Sequence, residues 1–270
     1  MTEDEKLNNM FSLLSSVQWA TAERYRRGIV GLMNECDTTG KFGVVEHVLK
    51  KLAYMRSNDL QLGAAKAAQV ICQSWGLQPN NTLIAGLAEP SKTCGSSAYV
   101  RAIENELDRA WATKIHTVFK SAFRHKEENT NLVLVDDFIG TGNKMKDRIT
   151  RLKENPKTED YAIYVVSFGG MCDGIDLITK TSCNAVEIYH KLDKCISVGL
   201  SAEVASEYTA RMKEMEARIF ATPGRYCFGY MQSEAAFYLE SFNIPNNNFP
   251  ILWSETYADS SPRASLFTRR

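Results

Sequence analysis

The sequence has no run of apolar residues approaching the roughly 20 needed to cross a bilayer as a helix, so no membrane association is expected. It also has no Cys-x-x-Cys pair. Its seven cysteines (Cys36, Cys72, Cys94, Cys172, Cys183, Cys195 and Cys227) are odd in number, which argues against a disulfide framework or a structural zinc site. The histidines, His47, His116, His125 and His190, are scattered, and none lies four residues from another. No metal-binding helix face follows, each reads as a surface or satisfied core residue, and no protein metal ligand is expected. An excess of one charge is missing too: 32 Lys and Arg balance 32 Asp and Glu. Zero net charge gives no reason to expect direct nucleic-acid binding, a local patch apart. There is no internal repeat or low-complexity tract. The opening segment, Met1 to Lys6, is acidic and lacks the apolar stretch of a secretory signal, so a cytoplasmic location is expected.

What is present is apolar residue in quantity, 44% of 270 residues, enough for one large domain or a core with an attached subdomain. Up to about residue 78 the spacing is helical. Leu7, Met10, Phe11, Leu14 and Val17 form one apolar set, and Val44, Val45, Val48, Leu49, Leu52 and Met55 a second. Ala65, Ala68, Cys72 and Trp75 form a third. From residue 79 short apolar runs alternate with helical patterns. Strands are expected at Leu83–Leu87, Leu132–Val135, Tyr161–Ser167 and Ala185–Tyr189. Between them a long helix is expected from Val100 to Val118, then helices around Met145–Leu152 and Cys172–Thr181. A further helix, with Val204, Tyr208, Met212, Met215 and Ile219, starts at the N-cap Ser201. Phe249–Trp253 reads as an edge strand, and the polar terminus after it as loose. The pattern is that of an α/β protein with a parallel, doubly wound sheet (residues 79–270) and a helical N-terminal subdomain (1–78). Ligands of such sheets bind at the C-terminal ends of the strands.

One segment falls there. Leu132-Val133-Leu134-Val135 runs into Asp136-Asp137, then Phe138-Ile139-Gly140-Thr141-Gly142 opens a helix. Two carboxylates at a strand end suit a vicinal diol, because each accepts hydrogen bonds that sugar hydroxyls donate. A Gly-Thr-Gly turn at a helix N-terminus suits a phosphate, since glycines let backbone N–H groups converge and the helix end is partly positive. A ribose 5-phosphate has the same two halves. A dinucleotide fingerprint is disfavoured because Met145 stands where a third glycine is required, and no Gly-Lys-Ser/Thr makes a Walker-type loop. The competing reading is a plain Asp-Asp turn.

The Asp-Asp-x-x-x-Thr-Gly pattern after an apolar strand resembles the phosphoribosyl pyrophosphate (PRPP) signature of type I phosphoribosyltransferases. The resemblance implies that Asp136 and Asp137 are the catalytic pair holding the ribose hydroxyls. It implies that Phe138, Ile139, Gly140, Thr141 and Gly142 wrap the 5-phosphate. The pattern commonly continues Thr-Gly-x-Thr; this chain has Lys144 in the last place, a cation that can serve the phosphate. An early loop binds pyrophosphate in that family, and Pro90–Arg101 offers Lys92, Ser96, Ser97 and Arg101 for it. The plain alternative there is a helix cap, with Arg101 exposed. Ser167-Phe168-Gly169-Gly170 is either a turn whose Phe168 stacks on a base or an ordinary strand-to-helix turn.

The helical N-terminal third, the Ser96-Ser97 turn, Phe228-Gly229-Tyr230, Ser233-Glu234-Ala235-Ala236 and Asn243–Trp253 are similar to the phosphoribosyltransferase-like proteins of bacterial conflict systems, some of which accompany retrons in anti-phage loci. That resemblance implies a PRPP or nucleotide ligand, Mg²⁺ arriving with its phosphates, protein partners in a defence complex and a homo-oligomer. Asn246–Asn248 is open between a turn and a cover over the site. Function stays open between an enzyme acting at ribose C1, by transfer or N-glycosidic cleavage, and a sensor or interaction module that binds without turnover.

Overall fold

A computed structural model describes residues 1–88, 95–119, 129–222 and 224–269. The described elements begin with α1 (Glu3–Ser16), α2 (Arg26–Glu35), α3 (Thr39–Lys51), β1 (Ala53–Met55), α4 (Ser57–Gln69) and β2 (Thr82–Ala88). They continue with α5 (Gly95–Glu106), β3 (Ile115–Val118), β4 (Asn131–Ile139), α6 (Asn143–Lys153) and β5 (Ala162–Met171). The last are α7 (Cys172–Thr179), β6 (Ala185–Leu192), α8 (Ala202–Glu216) and β7 (Phe237–Leu239). No helix among the described residues is long and apolar enough to cross a membrane.

Packing divides the chain into two compact units, Met55–Leu192 and a second made of Met1–Tyr54 with Asp193–Arg270. The division expected near residue 78 does not coincide with them. Residues 57–69 pack on α5, β5 and β6, and so belong with the sheet.

The first unit is a five-stranded sheet of order β3-β2-β4-β5-β6, parallel throughout. β4 lies at its centre. Leu132 to Val135 are fully buried because both faces are covered, which is why the run carries no polar alternation. On one face Leu132 and Leu134 pack with Met145, Ile149 and Leu152 of α6 and Ile175 and Ile178 of α7. The other face carries α4 and α5. There Gly63 lets α4 approach Phe168: a β-carbon at Gly63 would lie 2.7 Å from the ring. The Tyr99 hydroxyl donates to the Gly63 carbonyl at 3.0 Å.

Two expectations change in this unit. The long helix stops at Glu106, and Ile115 and Val118 lie in β3, an edge strand. The Asp108 carboxylate caps the new turn by accepting from Ala110 N–H at 2.9 Å, and the backbone of residues 115–118 then pairs with β2. Ile115 and Val118 fit a helical period only because their spacing of three is ambiguous over so short a stretch. Likewise β5 runs on to Met171, so Ser167–Gly170 is strand and not turn. Phe168 is fully buried, stacked on Tyr189 at 5.4 Å and edge-on to Tyr99. It is a core residue.

In the second unit α1 forms with a full capping box at Thr2 and Glu5. Its buried residue is Leu13, while Leu7 and Phe11 of the expected apolar set are 48% and 61% exposed. Thr38 caps α3 by accepting from Lys41 N–H at 3.2 Å, and Ser201 caps α8 through Val204 N–H at 3.4 Å. The helix of the second apolar set ends at Lys51, and Met55, the first residue of the sheet unit, lies in a strand instead. Phe249–Trp253 is not a strand: Pro250–Leu252 is a buried 3₁₀ turn. Nor is the terminus loose. Leu266 and Phe267 enter the core, and Arg263 makes a bidentate, buried pair with Glu35 at 2.7 and 3.0 Å. The Asn248 amide oxygen accepts from Phe237 N–H at 2.7 Å, and its nitrogen donates to the Pro245 carbonyl. Asn247 donates to Ser233. These two asparagines therefore brace the tail itself.

Candidate functional site

The centre of the sheet positions the acidic pair. β4 does not end at the carboxylates; it stays in register with β5 through Phe138 opposite Gly169 and Ile139 opposite Gly170. Strand alternation therefore sends neighbouring side chains to opposite faces. Asp136 goes to the face of α6, where its Oδ2 lies 3.4 Å from the Lys144 ammonium. Asp137 goes to the face of α5. There Gly95, the first residue of that helix, is so close that a β-carbon would collide with the Asp137 carboxylate. The Asp136 carboxylate also binds its neighbour's backbone, because the Asp137 N–H donates to Asp136 Oδ1 at 3.2 Å.

Their electrostatics differ. Asp136 is buried, with an exposed cation beside it: the side chains are 8% and 62% exposed. Burial pushes the Asp137 carboxyl well above the usual carboxylate range. The neighbouring Asp136 charge and the hydrogen bond between the two add to this, and Lys144 pulls the other way. A carboxyl held in this way can keep a proton near neutral pH and donate a hydrogen bond.

The turn after the pair is shaped by glycine. Gly142 has φ of 77° and caps α6. Gly174 of α7 presses on the turn, since a β-carbon there would collide with the Gly140 carbonyl. The first turn of α6 carries Lys144 and Lys146 and no acid.

Of the expected phosphate residues, Phe138 and Ile139 belong to the strand, and Ile139 is buried in the core. Gly140, Thr141 and Gly142 form the turn proper, with Lys144 one residue beyond the start of the helix. On the pyrophosphate side, Lys92 lies outside the described residues. Ser96 is fully buried at the start of α5, and the Ser97 hydroxyl donates to the Thr117 carbonyl at 3.3 Å. Arg101 sits on the exposed face of α5, six residues or about 9 Å along the axis from Gly95. Sequence reasoning gave no role to Gly95 or Gly174; an unexplained glycine at a helix start, or within a helical pattern, is the signal that points to close approach. Among the described residues no group of three or more His, Cys, Asp or Glu side chains converges to hold a metal ion. The acidic pair with its ammonium neighbour therefore does not fit a metal held by protein ligands alone.

Known proteins can be compared on this footing. The PRTase-CE family model matches residues 2–269. The chain belongs to the PRTase-CE family. The match takes in both units, so the family extends over the helices and tail as well as the sheet. Among solved structures, this PRTase-CE chain is similar to the Helicobacter pylori xanthine-guanine-hypoxanthine phosphoribosyltransferase, with 12% sequence identity, 52% of this chain and 88% of that chain covered, and a TM-score of 0.35. No curated protein matches.

Proposed function

We propose that the C-terminal edge of the sheet binds a phosphoribosyl group and that the protein acts at ribose C1, by transfer from PRPP or by N-glycosidic cleavage of a nucleotide. The observation that supports this most directly is the meeting of two segments that are far apart in sequence: Gly95, which opens α5, lies against the Asp137 carboxylate. In this reading Asp136 and Asp137 accept from the ribose hydroxyls. The N–H groups of Gly140–Gly142, the Thr141 hydroxyl and Lys144 hold the 5-phosphate. On the pyrophosphate side this reading assigns Ser96 and Ser97, with Arg101 further along α5, and assigns Lys92 by resemblance alone. Mg²⁺ enters with the ligand, whose phosphate oxygens supply its ligands and whose charge it offsets. Catalysis rests on positioning and on stabilising the cationic sugar.

Binding without turnover is the second reading. The Lys144–Asp136 pair favours it, because Lys144 stands where the resembling pattern has threonine and engages one of the two acids. The resemblance of the tail to proteins of conflict systems supports a setting in anti-phage defence. There, hydrolysis of a nucleotide pool would make a toxic effector and protein partners would restrain it.

Isothermal titration of PRPP with Mg²⁺ into the wild type and into Asp136→Asn/Asp137→Asn tests the site. The wild type is expected to bind and the double variant to lose most of the affinity. Chromatography of nucleotides incubated with the wild type separates the two readings: free base or a new nucleotide supports turnover, and unchanged ligand supports sensing. Absence of heat with PRPP and with a nucleotide panel would overturn both. If expression of the wild type in bacteria leaves nucleotide pools and growth the same as the double variant does, the effector role falls.

A further inference from the structure

We propose that the outward face of α1 docks on a second copy of this chain, seating in the groove along α2 of that copy in a head-to-tail contact. The inference does not depend on the phosphoribosyl reading. It starts from apolar side chains that the fold leaves in solvent. Leu13 is the buried residue of α1, and Met10 and Leu14 pack against the same core. Leu7 and Phe11 are 48% and 61% exposed. A single exposed apolar residue needs no explanation. These two stand one helical turn apart and form a continuous patch. Asp4, also exposed, continues the row one turn before Leu7.

The receiving surface lies on α2. Arg27, Val30 and Asn34 are exposed on one face of that helix. With Gly31, Ala264 and Ser265 they line an open groove of about 740 Å³, on the scale of pockets that bury whole small molecules. Glycine shapes it: a β-carbon at Gly31 would lie 3.0 Å from the Ala264 β-carbon, and one at Gly28 would lie 2.5 Å from the Leu266 α-carbon, so the tail rests directly on the helix.

The two surfaces match in spacing and in charge. Asp4, Leu7 and Phe11 stand at i, i+3 and i+7, and so do Arg27, Val30 and Asn34. Laid side by side in the same direction, the rows put Asp4 against Arg27 and Leu7 against Val30. The Phe11 ring, about 10 Å along the axis from Asp4, then enters the gap beside Gly31 and Asn34. Each surface also holds one unspent charge. On α1, Glu3 pairs with Lys6 at 3.1 Å and Glu5 accepts from Thr2 N–H at 2.7 Å, while Asp4 has no partner among the described residues. At the groove, Arg24 pairs with Glu240 and Arg26 with Glu23 at 3.2 Å, while Arg27 has no partner among the described residues. Arg27 stands in the first turn of α2, where a cation opposes the helix macrodipole, so α2 gains nothing from it. The acid that suits the groove and the base that suits α1 are on the same chain, so a second copy supplies both. Because the two surfaces differ, the contact is heterologous, and each copy engages two neighbours.

Analytical ultracentrifugation of the full chain over a range of concentrations tests this. The wild type is expected to gain mass as concentration rises. Phe11→Asp and Arg27→Glu are each expected to weaken association about tenfold or more, the size of a lost interface anchor. Asp4→Arg/Arg27→Glu, which exchanges the two charges, is expected to restore it. A mixture of Phe11→Asp chains with Arg27→Glu chains keeps one intact groove and one intact α1 face, and is expected to give a 1:1 dimer and nothing larger. Circular dichroism checks that the variants fold, which the exposure of all three positions favours; Leu7→Asp replaces Phe11→Asp if that variant does not fold. Wild type that stays monomeric at every concentration overturns the inference, whatever else covers the face. Association that neither single variant weakens overturns it too, as do exchanged charges that fail to restore association. A mixture that stays monomeric or grows beyond a dimer rules out the head-to-tail contact.

Discussion

Gly95 and Asp137 touch so closely that a β-carbon at residue 95 would overlap the Asp137 carboxylate unless that carboxylate moved. The contact joins the start of α5 to the end of β4, two segments separated by nearly a third of the sheet unit in sequence. Asp136, one residue earlier, faces Lys144 instead. Adjacent carboxylates are thus tied to different helices, Asp137 to α5 and Asp136 to α6.

Gly95→Ala is expected to fold and to lose PRPP affinity. The new methyl has to push the helix start or the carboxylate away, at about 1–3 kcal/mol for overpacking. Titration against the wild type checks it. Unchanged affinity and melting temperature would show that the contact relaxes freely.

Phe168 separates stability from binding. It is fully buried against Tyr99 and Tyr189. Phe168→Leu is expected to retain ligand binding with a lower melting temperature, and Phe168→Ala to lose about 3–5 kcal/mol in urea unfolding. A specific loss of base-containing ligands with full stability would restore the stacking role.

The tail is anchored by the buried pair of Glu35 and Arg263. Tyr257 donates to the same Glu35 oxygen at 2.8 Å, and Arg263 also reaches the Ser254 and Ile251 carbonyls, each at 2.8 Å. Glu35→Ala leaves an uncompensated buried cation and is expected to destabilise by about 3–5 kcal/mol. Chemical denaturation measures it, and a change under about 1 kcal/mol would mean that the pair is open to water.

Stability is expected to fall as pH rises from about 4 to 8. Burial pushes Asp137 up to about 7 and Glu216 up to about 8, the latter against a hydrogen bond from Phe228 N–H that lowers it. A carboxyl raised in the folded state binds its proton more tightly there than in the unfolded chain. Its contribution is complete below the unfolded value and lost as pH passes the folded one. Glu216→Gln is expected to flatten the curve of melting temperature against pH and to be the more stable protein at pH 8, where residue 216 is an ionising acid in the wild type alone. An identical pH slope in wild type and variant would rule out titration of Glu216 in this range.

Much of the sheet unit is legible in the sequence. Leu132–Val135 reads as a central strand because four consecutive apolar residues need cover on both faces, and both faces are covered. Met145, Ile149 and Leu152 read as a helix face and are the buried residues of α6. Ser201 reads as an N-cap and caps. These are local signals, fixed by period and by backbone donors that need partners. The strand ends are less legible: β4 and β5 each run past their expected limits, through Ile139 and Met171, because ladder pairing with a neighbour extends a strand where propensity alone would stop it.

The sequence by itself determined the parallel α/β character, the acidic pair and the glycine turn that opens α6, since these depend on alternation, helical period and backbone freedom within a few residues. Only the tertiary structure decided which side chains meet. It gave Asp136 to Lys144 and Asp137 to Gly95, put Phe168 in the core, and closed residues 193–270 onto the N-terminal helices through Glu35 and Arg263. Those pairings join residues from eight to more than two hundred positions apart, and no local pattern encodes them. They follow from burial of apolar faces, which acts without direction or sequence range, and from the need to partner whatever polar groups that burial encloses.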